Sequence, residues 1–399
     1  MSSYFYGMTL VTAGATEIIE NAAIIVKNDR FVKIGHAKQI AAPADAEIVD
    51  LSDKTVLPGL IDSHIHCFLD ASPDPMVSMD NDSTVNLVIK ATKNMCKTLE
   101  AGFTTVRDLG GRGDLSFQLR KAAADNMFPS PRILTSGRYI TMTGGHGHKT
   151  GIEADGTDLV RKAAREMLKQ GADVIKVMAT GGVMTEGVQP GSAQFTREEM
   201  AAATEEAHKV GKKAAAHAQG TEGIKNAIMA GIDSIEHGIF LDEEAVTMMR
   251  KNNTYLVPTL SAPYWVIEGG PESGIAQFVI DKVQITIKNH FPSFRLAHEK
   301  GVKIAMGTDA GTPLSRHGGN AKELELMVEN GMSPQEAIFA TTITSAELLG
   351  LSDCLGSIEV GKIADMVVFR NNPLDNISNV YNVDRVYRSG KMVYQSLHD

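Results

Sequence analysis

The stretch "GLIDSHIHC", residues 59–67, sets two histidines one residue apart directly behind a short apolar run. Side chains alternate between the faces of a β-strand, so His64 and His66 share one face while Ile65 takes the other. Two neutral imidazoles on one face make half of a transition-metal site. The stretch also opens a longer pattern. After it come the apolar runs "GFTTVRDLG", "RILTSGR", "ADVIKVMATGG", "KKAAAHAQG", "IDSIEHG", "NTYLVPTLS" and "VKIAMGTDAG". Between most of them lie helix-like stretches such as "DLVRKAAREMLKQG" and "TREEMAAATEEAHKVG", each ending on a Gly suited to the position after a helix. Eight βα units over about 280 residues is the pattern of a (β/α)8 TIM barrel, and the even spacing favours closure over a doubly wound open sheet.

Outside this alternation the chain reads as short strands. "GMTLVTAG", "NAAIIVKNDRFVKIG" and "AEIVDLSDKTVLPG" precede it, and "GSIEVGKIADMVVFRNNPLD" and "NVDRVYRSGKMVYQ" follow it. The expectation is an α/β protein in which both termini, residues 1–57 and 358–399, pair into a small β-sandwich domain beside a barrel at 58–357.

At 399 residues, with 43% hydrophobic and 22% charged residues, the chain has enough material for such a core. A net charge of -9 without a basic cluster argues against nucleic acid or an anionic membrane as partner. A small-molecule substrate fits better. Three scattered cysteines, Cys67, Cys96 and Cys354, make neither a disulfide framework nor a CxxC site and point to a reducing compartment. The opening residues lack a basic stretch followed by a continuous apolar one, and no later run reaches membrane-spanning length, so the expected location is cytoplasmic.

A barrel carries its chemistry at the carboxyl ends of its strands. His64 and His66 end the first run, Lys176 lies in the fourth, His217 ends the fifth, His237 the sixth and Asp309 the eighth. Each alone has a structural reading, as a satisfied core histidine, a buried ion pair or a helix cap. Together, six polar residues where Val, Ile or Leu is the rule need a common partner, because an unpaired buried polar group costs several kcal/mol. The set supplies ligands for two divalent metals. Lysine is the odd member, since an ammonium has no lone pair; a carbamate formed from its amine and carbon dioxide is a carboxylate able to bridge two metals.

This constellation resembles the amidohydrolase superfamily, with HxH on strand one, a Lys on strand four, single histidines on strands five and six, and an Asp on strand eight. "GFTTVRDLGG", "TGGHGH", "KVMATGGVMT", "HAQGTEGIKNAIMAGIDSIEHG", "MGTDAGTP" and the terminal "GKIADMVVF" are similar to the microbial Xaa-Pro dipeptidases (prolidases) and the related Xaa-Arg/Lys dipeptidases. The resemblance implies that His64 and His66 bind the more buried metal and His217 and His237 the more exposed one. Lys176 as carbamate and a hydroxide then bridge the two ions, with Zn2+ the default, and Asp309 ligates and moves protons. It further implies His146, in the loop "TGGHGHKTG", as donor to the scissile group, and a homo-oligomer. Tyr255 is a second donor candidate from the seventh strand. Arg316, in "PLSRHGG" after strand eight, is the candidate cation for the substrate carboxylate.

The expected reaction is metal-dependent hydrolysis of L-Xaa-L-Pro dipeptides. The alternatives are Xaa-Arg/Xaa-Lys dipeptides or N-acyl amino acids, and a non-catalytic scaffold, which the intact ligand set opposes. The sequence His217, Ala218, Gln219, Gly220 lacks the Glu that deaminases and imidazolone-ring hydrolases of the superfamily carry shortly after the strand-five histidine. Phosphate binding by the glycines of "GTDAGTP" or "ATGGVMTEG" is weak, as neither has nucleotide-loop spacing.

Overall fold

The structure, a computed structural model, describes residues 2–13 and 18–397. The last residue of the expected strand at 7–14 and the extreme ends of the expected terminal domain, 1 and 398–399, lie outside the described residues.

The amino-terminal strands are β1 (Ser2–Val11), β2 (Ile18–Lys27), β3 (Arg30–His36), β4 (Ala46–Asp50) and β5 (Thr55–Pro58). Next come β6 (Leu60–Ile65), β7 (Phe103–Asp108), β8 (Arg132–Thr135), β9 (Ile140–Thr141) and β10 (Ile152–Glu153). They are followed by β11 (Val174–Met178), β12 (Lys213–Ala218), β13 (Ser234–His237) and β14 (Tyr255–Val257), and the chain closes with β15 (Met366–Phe369), β16 (Val383–Arg388) and β17 (Lys391–Gln395).

Both ends of the chain build one eight-stranded sheet, in the order β17-β16-β15-β5-β1-β2-β3 with β4 on β1. β15 pairs antiparallel with β5, from Met366 opposite Pro58 to Phe369 opposite Thr55. The sheet forks at Gly7. β1 pairs with β4 up to Tyr6 and with β5 from Thr9, and Gly7, at φ +90°, leaves no room for a side chain because a Cβ would stand 2.4 Å from Ser52 Oγ. Phe5 and Tyr387 close a separate core from opposite ends of the chain, their rings edge to face at 5.0 Å.

The central strands are parallel and almost wholly buried, as their unbroken apolar runs require. They form a three-stranded sheet, β6-β7-β8, and a six-stranded sheet, β10-β9-β11-β12-β13-β14. Seven of the eight expected runs contain a strand of these sheets. The eighth, "VKIAMGTDAG", forms only isolated bridges, Leu256 with Ile304 and Ile65 with Ala310. Its hydrogen bonds are divided between two neighbours: Ala305 N–H donates to Leu256 O of β14, while Ser63 and His66 N–H donate to Met306 O and Ala310 O. On the other side of the three-stranded sheet, Asp173 N–H donates to Thr135 O.

The helices start and stop where local chemistry dictates. Gly156–Gln170 ends at Gly171 in the left-handed region (φ +94°), and Arg197–Lys209 starts at a reciprocal Thr196/Glu199 capping box. Among the described residues no helix is long and apolar enough to cross a membrane.

One ion pair crosses the interior of this layer. Arg107 on β7 is 1% exposed; its Nη2 donates to Glu236 Oε1 of β13 at 2.9 Å and its Nε to Ser63 O of β6 at 2.6 Å. Removing one partner of such a pair leaves a buried charge uncompensated. Arg107→Met is therefore expected to lower stability by about 3–5 kcal/mol in chemical denaturation. Arg107→Met/Glu236→Gln should recover part of that loss, and an unchanged single variant would show that the pair does not hold the sheets.

Candidate active site

Six side chains named from the sequence converge at the carboxyl ends of the parallel strands. His64, His66, Lys176, His217, His237 and Asp309 all line one cleft, which encloses about 1110 Å3 with its open mouth included. His64 Nε2 and His66 Nε2 stand 3.2 and 3.1 Å from Asp309 Oδ1. The His64 and His237 rings are 5.2 Å apart, and those of His217 and His237 are 4.5 Å apart.

The backbone brings them there at a local cost. His237 (φ +74°), Thr259 (φ +51°) and Asp309 (φ +58°) all occupy the left-handed region at the ends of their strands. Such residues persist only when their surroundings hold them. For Asp309 the hold is visible: its N–H donates to His64 O at 2.7 Å. Gly307 lets the two segments approach, since a Cβ there would stand 2.8 Å from His64 Cβ.

Hydrogen bonds behind the imidazoles decide which nitrogen faces the cleft. His64 Nδ1 pairs with Glu236 Oε2 at 2.8 Å, His66 Nδ1 with Gly110 O at 2.8 Å and His237 Nδ1 with Thr259 Oγ1 at 2.8 Å. Each Nδ1–H given to an acceptor leaves a lone pair on Nε2. His217 is turned the other way, with Nε2 3.3 Å from Gly181 O and Nδ1 left to ligate. Burial drives the His217 and His237 imidazoles well below the usual range, which keeps both neutral at pH 7. Burial opposes ionisation of Asp309, but the His64 and His66 rings hold it well below the usual carboxylate range.

Among the described residues, four buried atoms of the cleft-lining side chains lack hydrogen-bond partners, Asp309 Oδ1, Lys176 Nζ, Gln219 Oε1 and His290 Nδ1. Asp309 Oδ1 lies near two imidazoles without an aligned hydrogen bond, and Lys176 Nζ has none at all. Burial pushes the Lys176 amine down to about 8. Imidazole nitrogens and a carboxylate gathered this closely need a proton or a metal cation between them, and His64, His66 and Asp309 offer ligand atoms within 4.8 Å of one another. The donor set therefore fits divalent metal.

The remaining candidates divide. His146 lines the cleft with its ring 4.4 Å from that of His217, and burial pushes its imidazole down to about 4. Tyr255 is not at the site. It opens β14 opposite Ser234, the first residue of β13, and its O–H donates to Glu347 Oε2 at 3.3 Å. The strand begins at Tyr255, so its active end is four residues later, where Thr259 lines the cleft. Arg316 is also misplaced by the sequence reading: its side chain is exposed and outside the cleft lining, while the next residue, His317, packs with Nε2 3.2 Å from His66 O. Among the described residues, Lys176 and Asp309 are the only Lys, Arg, Asp or Glu in that lining. The other walls are largely apolar, with Met76 and Met79 on one side and Val266, Val279 and Val283 on another.

Sequence reasoning passed over Arg107, Glu236, Thr259 and Gly110, which orient the ligands. A signal existed for two: Arg107 and Glu236 are opposite charges set inside apolar runs, where burial demands pairing.

The comparisons agree with this geometry. A crystal structure of a Xaa-Pro dipeptidase with bound methionine in the active site has a TM-score of 0.92 at 36% identity, covering 99% of this chain and 100% of that one. A prolidase complexed with N-methylphosphonate-L-proline has a TM-score of 0.93 at 27% identity, covering 99% and 100%. The ochratoxinase of Aspergillus niger is 30% identical over 421 aligned positions, which take in 96% of this chain and 85% of that protein. The sequence profile of the amidohydrolase family matches residues 55–393. A chain matched over that length, with its imidazoles, lysine and aspartate gathered in one cleft, belongs to the amidohydrolase family and is a hydrolase of amide or peptide C–N bonds.

Proposed function

We propose that the chain hydrolyses the peptide bond of L-Xaa-L-Pro dipeptides with two divalent ions, Zn2+ by the donor set, held by His64, His66, Lys176, His217, His237 and Asp309. The observation that carries this reading is the unpartnered Lys176 Nζ at the centre of five metal-binding side chains. A neutral Lys176 amine that bonded to carbon dioxide and released one proton would become a carbamate, a carboxylate able to ligate metal where an ammonium cannot. Similarity to the Xaa-Pro dipeptidase and to the prolidase with a proline phosphonate supports the substrate class. With this goes an architecture: β6, β7, β8, β11 to β14 and residues 303–310 close as a (β/α)8 barrel at 58–357, and the sheet from 1–57 and 358–399 forms the β-sandwich domain.

Bound there, the ions supply Lewis acidity that makes water a nucleophile at neutral pH and polarises the scissile carbonyl. Asp309 accepts a proton from the attacking water and delivers it to the departing nitrogen. A Xaa-Pro nitrogen carries no hydrogen of its own, so this delivery is required. His146 donates a hydrogen bond to the oxygen that gains charge. Glu236 and Thr259 keep His64 and His237 in the tautomer that leaves Nε2 free.

A second reading, hydrolysis of N-acyl amino acids, is favoured by the cleft wall. A free dipeptide brings an ammonium as well as a carboxylate, and among the described residues the lining has no acidic residue besides Asp309 for the ammonium. An acyl group removes that charge and suits the apolar side.

Protein expressed with zinc and bicarbonate is expected to release the C-terminal residue fastest from Xaa-Pro in a panel that also holds Xaa-Arg, Xaa-Lys and N-acetyl-Xaa substrates. Faster release from N-acetyl substrates would replace the first reading by the second. Lys176→Ala should hold fewer than two ions per chain by elemental analysis and lose more than about 100-fold in kcat/KM; full occupancy with full activity would remove the bridging role. Chelation should abolish turnover and added Zn2+ restore it, and turnover that persists after metal analysis shows none would overturn the metal reading.

A further inference from the structure

Residues 180–194, between β11 and the helix Arg197–Lys209, fold back as a flap over the cleft. Thr180 bridges Ala193, and Gly181 N–H donates to Ser192 O at 2.9 Å. The flap grips the loop that carries His146 at three points. Gln194 Oε1 accepts from His146 N–H at 3.0 Å. Thr185 Oγ1 accepts from Gly147 N–H at 3.1 Å and lies 2.9 Å from His146 Nδ1. Gly182 packs on the ring, since a Cβ there would stand 2.5, 2.6 and 2.9 Å from Nε2, Cε1 and Cδ2. Three such short distances place it over the ring face, so Gly182 itself does not stand in line with the Nε2 edge.

The flap is itself tied down from outside the cleft. Lys282, on the helix Gln277–Glu299, donates through Nζ to Thr185 O at 2.7 Å and to Val188 O at 2.6 Å. Two backbone carbonyls of the flap thus satisfy one ammonium, and Thr185 is the residue they share with His146.

A hydroxyl has one hydrogen to give and two lone pairs to receive. Thr185 Oγ1 already receives from Gly147, and its contacts offer one acceptor for its own hydrogen, His146 Nδ1. If Nδ1–H donated instead, the hydroxyl would receive twice and its hydrogen would have no partner among these groups. Donation by Thr185 satisfies the hydroxyl, Gly147 N–H and His146 Nδ1 together and puts the ring proton on Nε2.

We infer that Thr185, anchored by Lys282, is a positioning residue that sets the tautomer of His146 so that Nε2–H is the hydrogen-bond donor offered to the substrate. The inference rests on the proposed donor role of His146. Neither residue touches the reacting atoms; both act through the imidazole.

Two readouts separate this role from plain support of the loop. In metal-loaded protein labelled with 15N-histidine, the His146 resonances, assigned by their loss in His146→Gln, should show the Nε2–H form. Thr185→Val should shift them toward Nδ1–H and lower kcat by roughly 10- to 100-fold, with KM within about threefold of the parent. Thr185→Ser, which keeps the hydroxyl, should restore both. Lys282→Met should give an intermediate loss at unchanged melting temperature. An Nδ1–H form in the parent protein, an unshifted tautomer in Thr185→Val, or a Thr185→Ser variant as impaired as Thr185→Val would overturn the inference. If the parent cleaves no amide offered to it, the proposed function fails, while the tautomer of the parent and of the two Thr185 variants still decides the role of Thr185.

Discussion

The buried chain Arg107–Glu236–His64 is the constraint on which the rest of the centre depends. Burial alone would raise the Glu236 carboxyl, but the Arg107 guanidinium and the His64 ring hold it well below the usual carboxylate range. A carboxylate that stays charged at 0% exposure is a fixed acceptor for His64 Nδ1. Through it, three strands share one electrostatic network: β7 supplies the cation, β13 the anion and β6 the imidazole. Such a network is expensive to bury and gives a site little freedom to rearrange. Here the consequence is functional, because it points one nitrogen lone pair of His64 into the cleft.

Other side chains of the cleft are aimed by backbone rather than by charge. His237, Thr259 and Asp309 take left-handed conformations that a non-glycine residue normally avoids. Each turns the chain at a strand end, and each is tied back, His237 to Thr259 by a side-chain hydrogen bond and Asp309 to His64 O through its own N–H. Asp62 adds a staple between β6 and the segment at 303–310, accepting from Thr308 Oγ1 at 2.7 Å and Asn320 Nδ2 at 2.8 Å. Strain stored at the rim is offset by the packed strands below it.

Much of this was legible in the chain. The alternation of apolar runs and helices located seven central strands, because parallel strands buried on both faces must be apolar throughout. Polar residues interrupting those runs marked the cleft, since His64, Lys176, His217 and His237 together stand where Val, Ile or Leu is the rule. Two assignments failed for a definite reason. Tyr255 was placed on the correct run but at the wrong end of its strand, and a run of apolar residues does not say where a strand starts. Arg316 was placed on the correct loop but points to solvent, and loop direction depends on contacts distant in sequence. The eighth run was expected to be a strand, yet it forms only isolated bridges and its hydrogen bonds are split between β14 and the β6 segment, a division visible only when both neighbours are in place.

The sequence by itself determined the alternation of apolar runs and helices and the residue types gathered in the cleft, because these follow from residue spacing along one chain, and its motifs carried the resemblance to the family. The tertiary structure decided what depends on residues brought together from far apart. It alone shows which imidazole nitrogen faces inward, since Glu236, Gly110 and Thr259 set that and none is a sequence neighbour of the ring it orients. It alone shows a cleft whose lining, among the described residues, holds Lys176 and Asp309 as its only Lys, Arg, Asp or Glu, a property of walls contributed by many separate segments. Periodicity carries the first kind of information; hydrogen-bond direction and burial carry the second.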